Sequence, residues 1–353
     1  APLLDTSNAT NTSYMFQNCY FLTDVPLYNL SQSTSAYAMF NNCYSLQSIP
    51  TFNISKVQNT GAMFANCMNL RKMPELNTSS STNFSNFLNG CTSLTSIPAF
   101  NTANVTDMGY AFASCTRLKE IPYLNTSKNT SFYHTFTNCY GLTTVPLFDT
   151  SNVTTMTSMF IGCSSLQNLP SFNTSKVTDL SSFCNGCVSI PEIPSSFDIS
   201  KNTTLYHSFT NCFRLKTVPS WDITNVNNAW RCFSGCTSLQ QVILTGSNKI
   251  TEFSYMFEGE TDLQTLNIYA GTGSAATTMF GNSRSLTSLT LTSMSISFNV
   301  ANAKLSATAI DNLGNSVIDR TGLASRTVTL TGNPGTGSMN TSIWTTKNWT
   351  VVR

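Results

Sequence analysis

Apolar residues return along this chain at a fixed interval, with polar residues between them. Successive members of the pattern are 24 residues apart, except for one step of 25. The third residue before the marker cysteine is usually phenylalanine, and the third residue after it is leucine or isoleucine. A constant interval of this length predicts a stack of coils, because each coil returns the same side chain to the same place. Cysteine marks the interval, at Cys19, Cys43, Cys67, Cys91, Cys115, Cys139, Cys163, Cys187, Cys212 and Cys236.

Each coil has two arms with different patterns. In one arm the apolar residues are spaced 3, 4 and 3 apart, at Val105, Met108, Phe112 and Cys115. This spacing predicts a short helix or 3₁₀ turn with its apolar side inward. Residues 94–100 have an extended pattern and should pair with the same arm of neighbouring coils as a parallel sheet. A column of prolines removes donors from that sheet, so we expect strands of two or three residues that lengthen after Val242.

The interval continues past the last marker cysteine and then stops. Met256-Phe257 keeps it, Met279-Phe280 follows 23 residues later, and Leu286, Leu289 and Leu291 give the LxxLxL core of a leucine-rich repeat. The sequence thus predicts an α/β solenoid, leucine-rich-repeat-like, of about twelve coils over residues 1–292. Residues 2–10 match residues 146–154, so the chain begins within a repeat and we expect further protein upstream.

The last sixty or so residues have longer elements and predict an α/β cap over residues 293–353. Ser306 precedes a helical spacing of apolar residues that runs from Ala309 to Ile318. Strands are expected at residues 327–330 and 349–352, and a second short helix at Ile343 and Trp344.

Two resemblances follow from these motifs. The unit Met-Phe-x-x-Cys…Leu…Asn-Thr-Ser-x-Val-Thr-x-Met resembles the BspA-type leucine-rich repeats of bacterial surface proteins. The resemblance implies a surface adhesin or ligand-binding protein. The tail, from Leu305-Ser306-Ala307 through Thr327-Val328-Thr329-Leu330 to Trp349-Thr350-Val351, looks like the end of phage tail-fibre and other virion-associated repeat proteins. That second resemblance implies a virion protein.

Composition narrows the range of partners. Only 10% of the residues are charged and the formal net charge is +2, so no basic stripe is available for nucleic acid. No apolar run approaches the length of a membrane span, and we expect no membrane insertion.

Most residues that could form disulfides, bind a metal or act in catalysis are better explained as core residues. Cysteines stacked in one column keep their Cβ atoms near 5 Å apart, whereas a disulfide wants about 3.8 Å, and zinc needs four convergent ligands. We therefore expect reduced, buried thiols, and Cys184, which stands in the phenylalanine column, is expected in the core too. His134 and His207 lie three coils apart in near-duplicate strings, too far to share a metal or a proton. The sequence predicts no enzyme and no cofactor.

Asn-x-Ser/Thr triplets recur through the repeats, at Asn77, Asn104 and Asn152 among others. They could be glycosylation acceptors in a secretory protein. Their fixed place in the repeat favours turn and cap chemistry.

Recognition is expected in columns that vary from coil to coil. The residue after the cysteine is aromatic in four coils; it either faces outward as a ladder that stacks on sugars or grips a protein, or it packs between coils. The two residues before the conserved Ile or Val also vary, and at least one of each pair should point outward. The candidate binding residues are Tyr20, Tyr44, Tyr140, Phe213, Arg71, Lys72, Lys119 and Glu120.

The function predicted on this basis is a non-enzymatic phage virion protein, a tail fibre or surface decoration. Its expected partners are a host-surface carbohydrate or protein, other virion proteins or copies of itself. The alternative is a bacterial cell-surface adhesin of the BspA-like type.

Overall fold

The computed structural model describes residues 1–246, 249–269, 279–292 and 294–353. The chain forms two compact units, Ala1–Lys176 and Val177–Arg353. Each unit is built of coils that repeat the 24-residue pattern, and unit 2 also contains the C-terminal segment. The predicted division at residue 292 stays a prediction.

The arm that carries the 3, 4 and 3 spacing consists of turns. Ala111 N–H donates to Met108 O within its own coil at 3.0 Å, but the next amide, Phe112 N–H, donates to Thr135 O of the following coil at 3.0 Å. Because alternate amides leave the coil, the i→i−4 ladder of an α-helix cannot form. The predicted short helices are therefore wrong: the described repeat residues up to 292 contain turns and strands but no helix.

Left-handed residues cause this alternation. In each coil up to Glu260 the residue five before the cysteine position and the residue directly before it have a positive φ, as at Tyr110 (57°) and Ser114 (57°). Asparagine and glycine tolerate this conformation best, which explains why they dominate the position before the cysteine. That column includes Asn18, Asn42, Asn66, Gly90, Asn138, Gly162, Gly186, Asn211, Gly235 and Gly259.

The extended arm forms a continuous sheet only where the prolines end. In the coils before Trp221 the pairing on this arm is reduced to isolated parallel bridges, such as Glu120 with Thr144. The strands β1 Trp221–Asp222, β2 Gln241–Thr245, β3 Thr265–Tyr269 and β4 Ser288–Thr292 then form a parallel sheet in the order β1-β2-β3-β4. The predicted lengthening of the strands is confirmed, because a proline cannot donate to the ladder.

The core consists of side chains stacked on their counterparts in the next coil. The rings of Phe112 and Phe136 lie 5.6 Å apart with an interplanar angle of 6°, and those of Phe136 and Phe160 are also 5.6 Å apart. All three rings are buried. Stacking at this distance between identical positions fixes the register of the coils and explains why the interval is constant.

The twelve cysteines are free thiols, of which Cys19 is exposed and the others are buried. Cys139 Sγ donates to Phe112 O in the preceding coil at 3.1 Å, and the same bond recurs along the column, as from Cys91 to Phe64 O. Where serine replaces cysteine the bond is kept, since Ser283 Oγ donates to Phe257 O at 2.9 Å. The cysteine is thus a small buried donor. Cys19, which is exposed, departs from the prediction of burial.

The Asn-Thr-Ser segments close the turn between the arms. Asn77 Oδ1 accepts from Ser79 N–H at 3.2 Å, which is an Asx turn, and Thr78 Oγ1 donates to Asn101 O of the next coil at 2.9 Å. The structure therefore gives these residues the predicted turn role and shows why the triplet repeats.

The C-terminal segment forms a second parallel sheet and two helices. Helix α1, Ala307–Ser316, begins at the N-cap Ser306, whose Oγ accepts from Ala309 N–H at 3.2 Å. Lys347 Nζ donates to Gly314 O, Asn315 O and Val317 O at 2.8–3.1 Å and so caps the other end of α1. The remaining elements are β5 Phe298–Asn299, β6 Arg326–Thr329, α2 Ser342–Thr345 and β7 Trp349–Val352, with sheet order β5-β6-β7. Both predicted helices and both predicted strands are present.

Candidate binding surface

The residue that follows each repeat cysteine, here named the post-cysteine column, faces solvent. Tyr20, Tyr44 and Met68 are 43%, 38% and 42% exposed in three consecutive coils. The rings of Tyr20 and Tyr44 stack at 5.0 Å with an interplanar angle of 18°. Of the two alternatives that the sequence left open, the structure therefore shows the outward-facing one.

The backbone holds this column firmly. The cysteine side chain points into the core, so the next side chain points out. Ser45 N–H then donates to Tyr20 O at 3.1 Å, and Asn69 N–H donates to Tyr44 O at 3.2 Å. The backbone of each exposed residue is thus tied to the following coil.

The other predicted members of the column stand alone. Tyr140 is 48% exposed, but the same position holds Thr116 in the coil before and Ser164 in the coil after. Phe213 is 46% exposed and belongs to unit 2. The structure brings together Tyr20, Tyr44 and Met68, and it leaves Tyr140 apart from them along unit 1.

The charged candidates are exposed as well. Arg71 and Lys72 share a coil with Met68, and Lys119 and Glu120 lie two coils further on. At least one residue of each pair was expected to face solvent, and in these coils both do. Both reach solvent because this arm lacks the regular pleat that would turn every second side chain inward.

Sequence reasoning missed a second set of aromatic residues, at the positions five and six before the cysteine. In unit 1, Tyr14 and Tyr37 meet edge to face at 5.4 Å, and the Tyr110 ring lies parallel to the His134 ring at 4.6 Å. The histidines were interpreted only as marks of duplication. The signal that the sequence offered was the recurrence of aromatic residues and histidine at these two positions in several coils.

Unit 2 has a related cluster. The rings of Tyr206 and Trp230 stack at 5.1 Å, and the Arg231 guanidinium lies 5.1 Å from the Trp230 centroid and 4.7 Å from that of Tyr255. Arg231 also pairs with Glu258 at 3.2 Å. Tyr206 and Arg231 thus contact the Trp230 ring, so this cluster offers less free aromatic surface than the post-cysteine column.

Burial shifts the pKa of several cysteines and of both histidines. Burial raises the pKa of the Cys43 and Cys115 thiols to about 12 and lowers the pKa of His134. Burial and then Arg231 lower the pKa of His207. The described residues contain no group of three or more His, Cys, Asp or Glu that could hold a metal ion. In the same residues no helix is long and apolar enough to cross a membrane.

Comparison with known proteins shows structural likeness at low similarity. A leucine-rich cell surface protein from Faecalibacterium prausnitzii A2-165 matches with 18% identity and a TM-score of 0.38, over 94% of this chain and 84% of that one. The plant peptide hormone receptor RGFR1, solved in complex with RGF2, matches with 14% identity and a TM-score of 0.25, over 84% of this chain and 62% of that one. Neither likeness is close enough to bear on function.

No curated protein sequence matches the chain. The repeats do match a protein family, described as Mycoplasma protein of unknown function, DUF285. The matches overlap at residues 3–73, 62–165, 130–246 and 203–312, and so follow the repeats into the C-terminal segment. The phage tail-fibre resemblance is not supported by these findings. The chain belongs to the DUF285 family.

Proposed function

We propose that this chain is a non-enzymatic adhesive protein of a bacterial cell surface, which binds a weakly charged partner through the post-cysteine column. The observation that carries the proposal is the exposed stack of Tyr20 and Tyr44 beside Met68. Stacked, exposed aromatic side chains suit a carbohydrate face or an apolar protein patch.

The proposal of a non-enzymatic role is supported by the state of the reactive groups. A thiol whose pKa is about 12, such as Cys43 or Cys115, is protonated near neutral pH and is a poor nucleophile. The imidazole of His134 stacks on Tyr110, and its Nδ1 lies 3.0 Å from Thr137 Oγ1. These contacts are what a packing role requires.

The family description bears on the choice between a virion and a bacterial cell. The sequence alone favoured a virion, but the family description names Mycoplasma, a bacterium, which favours the bacterial alternative. Immunogold labelling of intact cells that produce the protein distinguishes the two. Gold on the cell surface is expected, and gold confined to released virus particles would exclude the proposal.

The proposed surface is tested by a triple substitution, Tyr20→Ser, Tyr44→Ser and Tyr140→Ser. Each side chain is exposed, so the melting temperature should stay close to that of the unchanged protein. Binding of the labelled protein to cells that the unchanged protein adheres to, measured by flow cytometry, should weaken about tenfold or more, since buried aromatic anchors dominate interface energies.

A matched control removes as many exposed apolar side chains elsewhere in unit 1. Leu27→Ser, Tyr123→Ser and Leu147→Ser change residues that are 63%, 62% and 58% exposed and lie outside the column. This triple variant should bind normally. Equal binding by both folded triple variants would remove the post-cysteine column as the site.

A further inference from the structure

A groove of about 420 Å³ crosses three neighbouring coils of unit 1, on residues other than the post-cysteine column. Gly109, Tyr110 and Tyr133 line it together with Asp107 and Ser131. Its volume falls within the range of ordinary small-ligand sites, about 300–1,000 Å³.

The groove exists because Gly109 has no side chain. The same position of the repeat is occupied by large residues such as Tyr37, Tyr133 and Trp230 in some coils and by small ones such as Gly61 and Ser85 in others. A Cβ atom on Gly109 would meet Asp107 Oδ1 at 3.2 Å and Tyr133 O at 3.7 Å, and the φ of Gly109 lies outside the left-handed range. The backbone conformation therefore does not require glycine here; the missing side chain keeps the groove open.

The aromatic wall is held in place by its neighbours. His134 in the next coil covers one face of Tyr110, with the rings 4.6 Å apart and 8° from parallel. Tyr133 meets Tyr110 edge-on at 5.4 Å. The groove is lined on the other side of Tyr110 by Ser85 and Asn86 of the preceding coil. A preorganised aromatic face of this kind packs against the C–H face of a sugar ring.

The polar groups beside this wall are acceptors and hydroxyls. Asp107 is exposed, and its Oδ1 accepts from Gly109 N–H at 2.8 Å, which fixes the carboxylate at the groove. Ser131 Oγ accepts from Tyr133 N–H at 3.2 Å. Among the described residues that line the groove, no side chain is cationic. The site therefore suits a ligand that donates hydroxyl hydrogens, and it disfavours an anion.

We propose that this groove binds one neutral sugar ring, stacked on Tyr110 with its hydroxyls directed to Asp107. An open site that makes one stacking contact and a few hydrogen bonds should bind weakly, with a Kd on the order of 1 mM. The inference does not rest on the post-cysteine column, because none of the residues of that column lines the groove.

The test uses the whole chain and saturation-transfer difference NMR. The probes are the methyl glycosides of glucose, galactose, mannose and N-acetylglucosamine, with the anionic N-acetylneuraminic acid for comparison. At least one neutral glycoside should receive saturation, and the anionic sugar should not.

Two variants locate the binding. Gly109→Tyr places in the groove the residue that Tyr37 and Tyr133 supply elsewhere, and the Kd should rise about tenfold or more. Ser181→Tyr makes the same kind of change at the same repeat position in unit 2 and should leave the Kd unchanged. Asp107→Asn keeps an oxygen for Gly109 N–H but removes the charge, and should weaken binding severalfold; it also serves if Gly109→Tyr fails to fold.

Each contrary result is decisive. The proposal is overturned if none of the neutral glycosides receives saturation, or if the folded Gly109→Tyr and Asp107→Asn variants bind them as the unchanged protein does. The triple variant of the post-cysteine column should still bind the glycoside. That result separates a failure of this proposal from a failure of the proposed adhesive surface.

Discussion

Glu260 provides a test of the cysteine column, because it stands where the repeat calls for cysteine. The side chain is completely buried, and its Oε1 accepts from Cys236 N–H at 2.8 Å. Its Oε2 has no hydrogen-bond partner among the described residues. Burial, opposed by hydrogen bonds from the Cys236 and Gly235 amides, raises the pKa of the Glu260 carboxyl to about 9, and Asp262 adds to the rise.

The direction of the pH effect follows from this raised pKa. In the unfolded chain the carboxyl should titrate near the usual 4.3. Since the folded pKa is higher, the favourable contribution is fully present below about pH 4 and is lost as the pH rises toward 9. Each pH unit in that window costs about 1.4 kcal/mol, so the loss across it is on the order of 5 kcal/mol.

Substitution of Glu260 should remove this loss. Glu260→Cys restores the residue of the column, which can donate to the core as Cys236 Sγ donates to Phe209 O at 3.0 Å. From about pH 5 to pH 8.5, the unfolding free energy of the variant should rise by several kcal/mol relative to that of the unchanged protein. Glu260→Gln should show the same flattened dependence, although its buried amide also needs partners.

Urea unfolding monitored by tryptophan fluorescence measures the unfolding free energy of unit 2, which contains Glu260, because all four tryptophans lie in that unit. The quantity to compare is the difference in unfolding free energy between variant and unchanged protein at each pH. Glu192→Gln, which changes an exposed glutamate of the same unit, is the control and should give a flat difference. A difference for Glu260→Cys that stays constant with pH would refute the reasoning.

Three further predictions concern unit 1. Phe112→Ala should destabilise its own and adjacent coils by about 3–5 kcal/mol through lost burial and a cavity, measured by hydrogen exchange; uniform loosening of the unit would contradict the nearest-neighbour picture. Gly90 has a φ of 76°, and a Cβ there would meet the Asn66 side chain, so Gly90→Ala should cost about 1–2 kcal/mol or more in urea unfolding. Gly90→Asn should cost less, because asparagine tolerates the left-handed region. At the same position of the two preceding coils Asn66 Nδ2 donates to Asn42 Oδ1 at 2.8 Å, so this column accommodates stacked asparagines. An asparagine variant no more stable than the alanine variant would contradict this. In thiol labelling of the native protein Cys19 alone should react quickly, whereas about twelve thiols should react after denaturation; rapid labelling at Cys43 would argue against its burial.

The sequence predicted the coil interval, the inward columns and the C-terminal elements, because these depend on side-chain burial that a repeat makes visible. It failed at the backbone of the turn arm. Spacings of 3 and 4 are typical of a helix, and they are also produced by successive turns that reverse at left-handed residues such as Tyr110 and Ser114. The distinguishing evidence was the asparagine and glycine before each cysteine, which a helix interior does not favour.

The candidate surface was predicted in part. Tyr20 and Tyr44 were named from their column, but whether the column faced outward depended on the direction of the chain after the cysteine, which periodicity does not give. The Gly109 groove was missed for another reason. It is formed by an absent side chain in one coil and by aromatic residues in two, so it appears only when the coils are stacked.

Recognition is proposed to lie on the post-cysteine column, and hydrogen exchange of the bound protein tests this most directly. The protein is compared free and bound to membranes of cells that it adheres to, and protected peptides are located along the chain. Protection is expected over residues 18–24 and 42–48, which carry Tyr20 and Tyr44, with little change in the buried Phe112 region. Protection confined to α1 and β7, or none at all on membranes that bind the protein, would contradict the account.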